Sequence, residues 1–129
     1  MQIRDIMYTG EKNAVVSVAG CFRDVLEELN RKKLGAVCIV DGEKLIGLVT
    51  DGDIRRLLLS TQKPLPHLFV APAASIAILN PKTIGPNASL EEGLALLEQN
   101  QFWVLPVTDD SMRLLGLLHL HRLLKSLVR

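Results

Sequence analysis

The sequence carries one pattern twice, and this repeat constrains the fold more than any other feature. The apolar segment Leu45–Val49, with Gly47 at its centre, recurs as Leu114–Leu118 around Gly116, so the two glycines are 69 positions apart. Apolar runs and helical stripes upstream of each segment match in the same way. Repetition over such a period indicates two copies of one supersecondary unit.

Each copy is predicted to fold as strand, helix, strand, strand, helix. Apolar residues at helical spacing mark the first helix of each copy, and turn residues separate the paired apolar runs that follow it. In the first copy the predicted elements span residues 15–18, 21–32, 36–40, 45–50 and 51–59. In the second copy they span residues 83–84, 89–100, 103–108, 114–119 and 120–128.

The predicted fold class is therefore α/β (α+β), with two β-α-β-β-α units packed as a pseudo-twofold pair. We place the first unit at residues 1–61, a proline-containing linker at 62–74 and the second unit at 75–129. A unit of about 60 residues buries little surface and is only marginally stable alone. Its strands are apolar on both faces and need cover on both. A cleft between two such units is a common place for a small ligand.

The composition argues against several classes of function. The 129 residues fit one compact domain, and 15 Lys and Arg against 14 Asp and Glu argue against a nucleic-acid-binding protein. Aromatic residues make up only 4% of the chain, so a base-stacking surface is not expected. Two separated cysteines, Cys21 and Cys38, and the lack of an apolar stretch suited to a signal peptide or a membrane span favour a cytoplasmic protein without a membrane partner.

The stretch that follows the first repeated glycine predicts a binding site. It runs from a buried strand into the first turn of a helix, whose unpaired N–H groups and positive dipole favour a phosphate. Thr50 adds a hydroxyl there, and Arg55 and Arg56 add positive charge. Asp53 can accept hydrogen bonds from a sugar diol, and Asp51 stands beside it. A nucleotide base would complete the ligand by lying against three apolar residues of the predicted strands, which are Val15, Ala36 and Val37.

The same residues also have a purely structural interpretation. Thr50 and Asp53 have the spacing of a helix N-cap with an acidic residue in the third position, which stabilises any helix. Gly52 is a poor helix former, and its place in this turn favours a site where another group approaches the main chain closely. Both interpretations are consistent with the sequence.

Here the sequence resembles a known family. The paired units, the first of which ends in Gly-Leu-Val-Thr-x-x-Asp, resemble a tandem pair of CBS domains (a Bateman module) across essentially the whole chain. Three shorter motifs resemble the C-terminal half of arabinose 5-phosphate isomerases of the KpsF/GutQ type, and they are Met7–Glu11, Thr50–Arg56 and Gly116–His121. The middle motif is also similar to CBS pairs attached to sugar nucleotidyltransferases, whereas the ending Gly-x-x-His-x-His favours the isomerase group.

The resemblance implies a regulatory module that is not itself an enzyme and has no catalytic residues. It implies that Thr50 lies near a phosphate and Asp53 near ribose hydroxyls. The implied effector is AMP, ADP, ATP, a sugar nucleotide or a sugar phosphate, and no other cofactor is expected. The implied partners are a catalytic sugar-phosphate isomerase domain and a second copy of the chain, in a homodimer.

A second site is expected in the second copy, although its residues differ. His119 and Arg122 stand where the first copy has Thr50 and Asp53. An arginine in a first helical turn opposes the helix dipole and cannot accept from a diol, so a sugar phosphate suits this site better than a ribose. The isomerases that the chain resembles usually carry an acidic residue at this position. The other candidate residues of this site are His121, Thr83 and Val104.

Three other hypotheses compete with ligand sensing. His119 and His121 could form half of a metal site, but zinc needs three or four ligands and the remaining histidine, His67, lies in the linker, so no metal is predicted. Asp51 and Asp53 could serve acid–base catalysis, but no partnered nucleophile accompanies them. The chain could instead act only in oligomerisation, with its leucine-rich C-terminal helix packed on a partner chain.

Overall fold

The computed structural model describes residues 1–62 and 64–128. Lys63, in the predicted linker, and Arg129, at the end of the predicted second unit, lie outside the described residues. The strands are β1 (Val15–Ser17), β2 (Ala36–Asp41), β3 (Lys44–Thr50), β4 (Ile78–Leu79), β5 (Val104–Thr108) and β6 (Leu114–His119). The helices are α1 (Phe22–Lys32), α2 (Asp51–Ser60), α3 (Leu65–Phe69), α4 (Ala73–Ile76), α5 (Leu90–Asn100) and α6 (Leu120–Leu127).

The predicted fold class is confirmed, and most elements begin and end within one residue of their predicted bounds. The helix starts agree because their caps are local. The side chain of Ser89 accepts a hydrogen bond from the Glu92 main chain at 3.1 Å and so caps the start of α5. The exception is the strand predicted at 83–84, where Ile84 forms only a single parallel bridge to Val107.

Residues Ala14–Pro81 form one compact unit, here called the middle unit. Its sheet has the strand order β1-β2-β3-β4, in which β1 pairs parallel with β2 and the other two pairs are antiparallel. Phe22 and Val25 of α1 and Ile39 of β2 are completely buried. This core supports β3, and the predicted polar site residues Thr50, Asp51 and Asp53 lie where β3 ends and α2 begins.

Met1–Asn13 and the residues from Lys82 onward form a second compact unit, here called the split unit because the middle unit interrupts it in sequence. Strands β5 and β6 pair antiparallel in its centre. Its core combines the N-terminal segment, both strands and both long helices, and consists of Ile3, Ile6, Ile84, Leu90, Leu97, Leu105, Val107, Leu118 and Leu123.

A short segment lies along the outer strand of each unit, beside the repeated glycine. In the middle unit this segment is β4, which pairs with β3. In the split unit it is Tyr8, whose N–H and carbonyl each make a 2.9 Å hydrogen bond with the main chain of Leu117. A Cβ on Gly47 would stand 3.1 Å from the carbonyl oxygen of Ile78, and one on Gly116 would stand 2.6 Å from that of Tyr8. The close passage of a second backbone therefore explains both repeated glycines.

The compact units do not coincide with the predicted units 1–61 and 75–129. Residues 1–13 precede the first repeat but pack with the second, for example through a 2.9 Å hydrogen bond from the Ile3 N–H to the Ala88 carbonyl. The predicted boundaries therefore remain a prediction about the sequence repeats.

The predicted linker at 62–74 contains structure that the sequence did not predict. Helix α3 and the start of α4 fall within it, and both pack inside the middle unit. Phe69 of α3 stacks on Phe22 with ring centroids 6.5 Å apart, and Ala73 of α4 is completely buried. Pro64 and Pro72 precede the two helices directly, a place where proline costs no helical hydrogen bond.

Some large apolar side chains remain exposed. Trp103 precedes β5 and is 71% exposed, so it does not belong to the core of its unit. Leu59 at the end of α2 and Val128 after α6 are more exposed still. In the part of the chain that the structure describes, no helix is both long enough and apolar enough to cross a membrane.

Candidate functional site

Thr50 and Asp53 form a reciprocal cap at the start of α2. The Thr50 N–H and hydroxyl both donate to Asp53 Oδ2, at 2.9 and 2.8 Å, and the Asp53 N–H donates to Thr50 Oγ1 at 3.2 Å. The structural interpretation of this motif is thereby confirmed. The binding interpretation stays a prediction, because a cap of this kind also fixes the hydroxyl and the carboxylate in one place.

The second carboxylate oxygen of Asp53 is also engaged. Arg56 Nη2 donates to Asp53 Oδ1 at 2.7 Å, across one turn of α2. The two side chains differ in accessibility, since that of Asp53 is 14% exposed and that of Arg56 is 68% exposed. Because its side chain is the more exposed of the two, Arg56 is the partner that can move away from the ion pair.

Gly52 is the residue that permits this arrangement. A Cβ at this position would stand 3.2 Å from Arg56 Nη1 and 3.4 Å from Nη2. The sequence indicated that another group approaches the main chain closely at Gly52. In the structure that group is the guanidinium of Arg56.

Asp51 lies on the exposed side of the same turn. Its main-chain N–H donates to the Gly35 carbonyl at 3.1 Å, which ties the start of α2 to the chain just before β2. Its carboxylate is exposed to solvent, and a Cβ on Gly35 would lie 3.4 Å from Asp51 Oδ2. Asp51 is thus at the site but does not take part in the cap.

The three predicted base contacts do not share one face of the sheet. Ala36 stands directly opposite Thr50, and Val15 pairs with Cys38, two residues further along β2. Because side chains alternate along a strand, Val15, Ala36 and Thr50 project from the same face and Val37 projects from the other. Val15 is half-buried, whereas Ala36 and Val37 are completely buried. The structure therefore places Val15 and Ala36 on the same face of the sheet as Thr50, and it places Val37 on the opposite face.

A buried carboxylate that the sequence did not single out supports β1. Glu28 of α1 is only 5% exposed, and it accepts the Val15 N–H at 2.9 Å and a hydrogen bond from Arg31 Nε at 3.1 Å. Burial acts to raise the pKa of Glu28, but the Val15 and Arg31 hydrogen bonds outweigh it, so the pKa lies below its ordinary value of 4.5. Its place three residues after the buried Val25, on the apolar stripe, is the signal that could have revealed it.

The second predicted site begins with His119, which caps α6. Its Nδ1 accepts the His121 N–H at 3.1 Å, and Val104 stands opposite it in the sheet, as Ala36 stands opposite Thr50. Half-burial, and secondarily the charge of His121, lower the pKa of His119. The imidazole is thus held neutral, with Nδ1 as acceptor.

Arg122 turns toward the N-terminal segment. Its Cζ lies 4.6 Å from the centroid of the Tyr8 ring, in a cation–π contact. His121 is exposed, Val104 is buried and Thr83 is half-buried. Ile84 pairs with Val107 as Val16 pairs with Ile39, so by sheet register Thr83 stands at the counterpart of Val15.

Among the described residues, no group of three His, Cys, Asp or Glu side chains is placed to hold a metal ion. Cys38 is completely buried, and burial raises the pKa of its thiol to about 12.

Comparison with known proteins identifies the family. A model described as the CBS domain matches residues 22–60 and 73–129. Arabinose 5-phosphate isomerase KdsD of Yersinia pestis is 34% identical over 127 residues, which cover 98% of this chain and 37% of that protein. The chain thus spans little more than a third of the length of the curated relatives it matches.

Solved structures agree with the family model. CBSX2 in complex with AMP, a protein of Arabidopsis thaliana, is 25% identical with a TM-score of 0.85, covering 98% of this chain and 96% of that one. Hypoxic Response Protein I with two coordinated zinc ions is 26% identical with a TM-score of 0.81, covering 97% and 98%. With two folded repeats and a family match over most of its length, this chain belongs to the CBS domain family as a pair of CBS domains.

Proposed function

We propose that this chain is a regulatory CBS pair that senses an adenine nucleotide through the middle unit. In this proposal Thr50 and the first turn of α2 hold the phosphate, and Asp53 accepts from the ribose hydroxyls. The base lies against Val15 and Ala36, while Val37 packs the opposite face of the same strand.

One observation carries the proposal. Ala36 and Thr50 stand directly opposite each other where β3 passes into α2, so an apolar strand face and a polar helix start meet at one point. A nucleotide needs such a combination, because its base is largely apolar and its phosphate is anionic. The similarity to CBSX2, which was solved with AMP, supports an adenine nucleotide in particular.

Isothermal titration with AMP, ADP, ATP and a CMP-linked sugar tests the proposal. We expect saturable binding of at least one adenine nucleotide, and an increase of about 2.7 kcal/mol in the free energy of unfolding at a ligand concentration 100-fold above its Kd. The variants Thr50→Ala and Asp53→Ala should each weaken that binding. Affinity for the CMP-linked sugar alone would favour the CBS pair of a sugar nucleotidyltransferase instead.

Ser89→Ala provides the matched control, since it also removes a helix N-cap but lies in the split unit. It should lower stability by about 1 kcal/mol and leave nucleotide affinity unchanged. The proposal fails if no adenine nucleotide binds, or if the double variant Thr50→Ala, Asp53→Ala binds as tightly as the wild type.

The same proposal assigns a sugar phosphate to the split unit. His119 and Arg122 would meet the phosphate there, with His121, Thr83 and Val104 around them. Arg122→Gln should then abolish binding of arabinose 5-phosphate while leaving AMP binding intact. If Arg122→Gln changes neither affinity, the second site is absent.

We further propose that the chain regulates a sugar-phosphate isomerase and does not catalyse the reaction itself. The similarity to KdsD over 37% of that protein supports this, because it leaves most of the isomerase unmatched. Incubation of the chain alone with arabinose 5-phosphate should give no ribulose 5-phosphate. Measurable turnover would overturn this part of the proposal.

Exposed apolar residues favour a homodimer, which is also the second candidate function if no ligand binds. Leu58 and Leu59 of α2 are 45% and 82% exposed, and Leu124 of α6 is 43% exposed. Light scattering after gel filtration should give twice the chain mass of 14.2 kDa, and Leu59→Glu or Leu124→Glu should reduce it. A monomeric wild-type chain would contradict both the dimer and the oligomerisation-only function.

A further inference from the structure

We propose that Arg56 is a latch on the nucleotide site, which makes the site selective for phosphorylated ribonucleosides over unphosphorylated ones. The inference rests on the proposed function, because it assigns a role at that same site. Arg56 forms an ion pair with Asp53. When a nucleotide binds, the ribose diol replaces Arg56 on the carboxylate and the released guanidinium binds the phosphate.

The first step of the argument is the occupancy of the Asp53 carboxylate. Oδ2 accepts two hydrogen bonds from Thr50, and Oδ1 accepts one from Arg56. The Thr50 bonds belong to the cap, so a ribose diol has to compete with Arg56 for the carboxylate.

The second step is that Arg56 can give way at little cost. Its side chain is 68% exposed, and an exposed ion pair one helical turn apart is weak because water screens it. A neutral nucleoside displaces this arginine but carries no anion to which the released guanidinium can bind. A nucleotide displaces the arginine and supplies an anion that the guanidinium can bind in two-point geometry.

The third step is the position of the guanidinium. Its nitrogen atoms lie 3.2 and 3.4 Å from the place a Cβ on Gly52 would occupy, so the group rests on the first turn of α2. This turn is also where the helix dipole favours an anion. The arginine therefore needs only a short movement to reach a phosphate held there.

The split unit lacks this device. The residues 69 positions after Gly52, Asp53 and Arg56 are His121, Arg122 and Lys125. No carboxylate occupies that turn, and Arg122 contacts Tyr8 instead. The latch is therefore a property of the middle unit, and Arg56 distinguishes the two halves of the pair.

Titration of the whole chain with adenosine and with AMP tests the latch in wild type, Arg56→Gln and Arg55→Gln. Arg55 is the matched control, since it is an exposed arginine of the same turn and carries the same charge. We expect Arg56→Gln to weaken AMP binding about tenfold, and to leave adenosine binding unchanged or about twofold tighter. Arg55→Gln should keep the ratio of the two affinities within about twofold of the wild type.

A second variant keeps the test independent of charge. Gly52→Ala adds a Cβ 3.2 Å from Arg56 Nη1, closer than an ordinary contact, so it should shift the guanidinium by a few tenths of an ångström, weaken its pairing with Asp53 and tighten adenosine binding slightly without removing a positive group. If the wild type binds AMP but Arg56→Gln keeps the wild-type ratio of AMP to adenosine affinity, the latch is wrong and the proposed function stands. If the wild type binds neither compound, the proposed function fails and the latch fails with it.

Discussion

The guanidinium of Arg122 lies over the ring of Tyr8, 4.6 Å from its centroid, and joins the first turn of α6 to the N-terminal segment. We expect a coupling energy of about 0.5–1 kcal/mol between the two side chains, since both are partly accessible to water. A double-mutant cycle with Tyr8→Leu and Arg122→Met, followed by urea unfolding, measures it. Additive effects of the two substitutions would show that the contact contributes nothing to stability.

Gly116→Ala should destabilise the protein by about 1–3 kcal/mol, because its Cβ would stand 2.6 Å from the main-chain carbonyl of Tyr8 and the strand would have to move away. Gly85→Ala is the control, since no atom lies within 4 Å of a Cβ at that position and its φ is not positive. That control should change stability by less than about 1 kcal/mol, in the stabilising direction. Equal urea midpoints for the two variants would contradict the close passage of Tyr8.

Glu28→Gln should lower the free energy of unfolding by about 1–3 kcal/mol at neutral pH, because a buried acceptor with charged partners becomes neutral. The pKa of Glu28 is depressed in the folded state, so its contribution is complete above about pH 4.5 and is lost as the pH falls through the folded value. The difference between wild type and variant, measured by urea unfolding, should therefore shrink toward pH 3. Glu27→Gln, at an exposed neighbour, should show no comparable difference. A difference that stays constant with pH would exclude this role for Glu28.

His119 should make stability fall as the solution becomes mildly acidic. Its pKa is lowered in the folded state, so below about 6.5 the unfolded chain binds a proton that the native cap rejects, and native stability declines. His119→Asn keeps a capping acceptor that does not titrate, and it should flatten the stability profile between about pH 7.5 and about pH 5.5. A midpoint for His119 at or above 6.5 in an NMR titration would contradict the lowered pKa.

Much of the fold could be predicted because its signals are local. The caps at Thr50 and Ser89 involve residues three positions apart, and both helices start where the sequence indicated. The periodicity of the apolar residues is equally local, which is why the bounds of β1, β2, β3, β5 and β6 agree with the prediction to within one residue. Val15 and Ala36 were predicted as site residues from the same strands.

The parts that could not be predicted depend on contacts between distant residues. Tyr8 and Leu117 meet through main-chain hydrogen bonds, which leave almost no trace in side-chain type. Val37 was included with Ala36 because adjacent residues of a run look alike until the register shows which face each one occupies. Glu28 resembles an exposed helical glutamate, and only its partner at Val15 shows why it is buried.

The interrupted order of the split unit has a consequence for how the chain folds. Residues 1–13 are synthesised before their partners Ala88 and Leu117, which come from the second half of the sequence. The middle unit, whose internal contacts join residues between 14 and 81, can assemble earlier, while Ile3 and Ile6 of the N-terminal segment stay exposed until their partners are made. The N-terminal segment is thus synthesised early but packs late. A protease added during translation should therefore cut residues 1–13 before β6 has been synthesised.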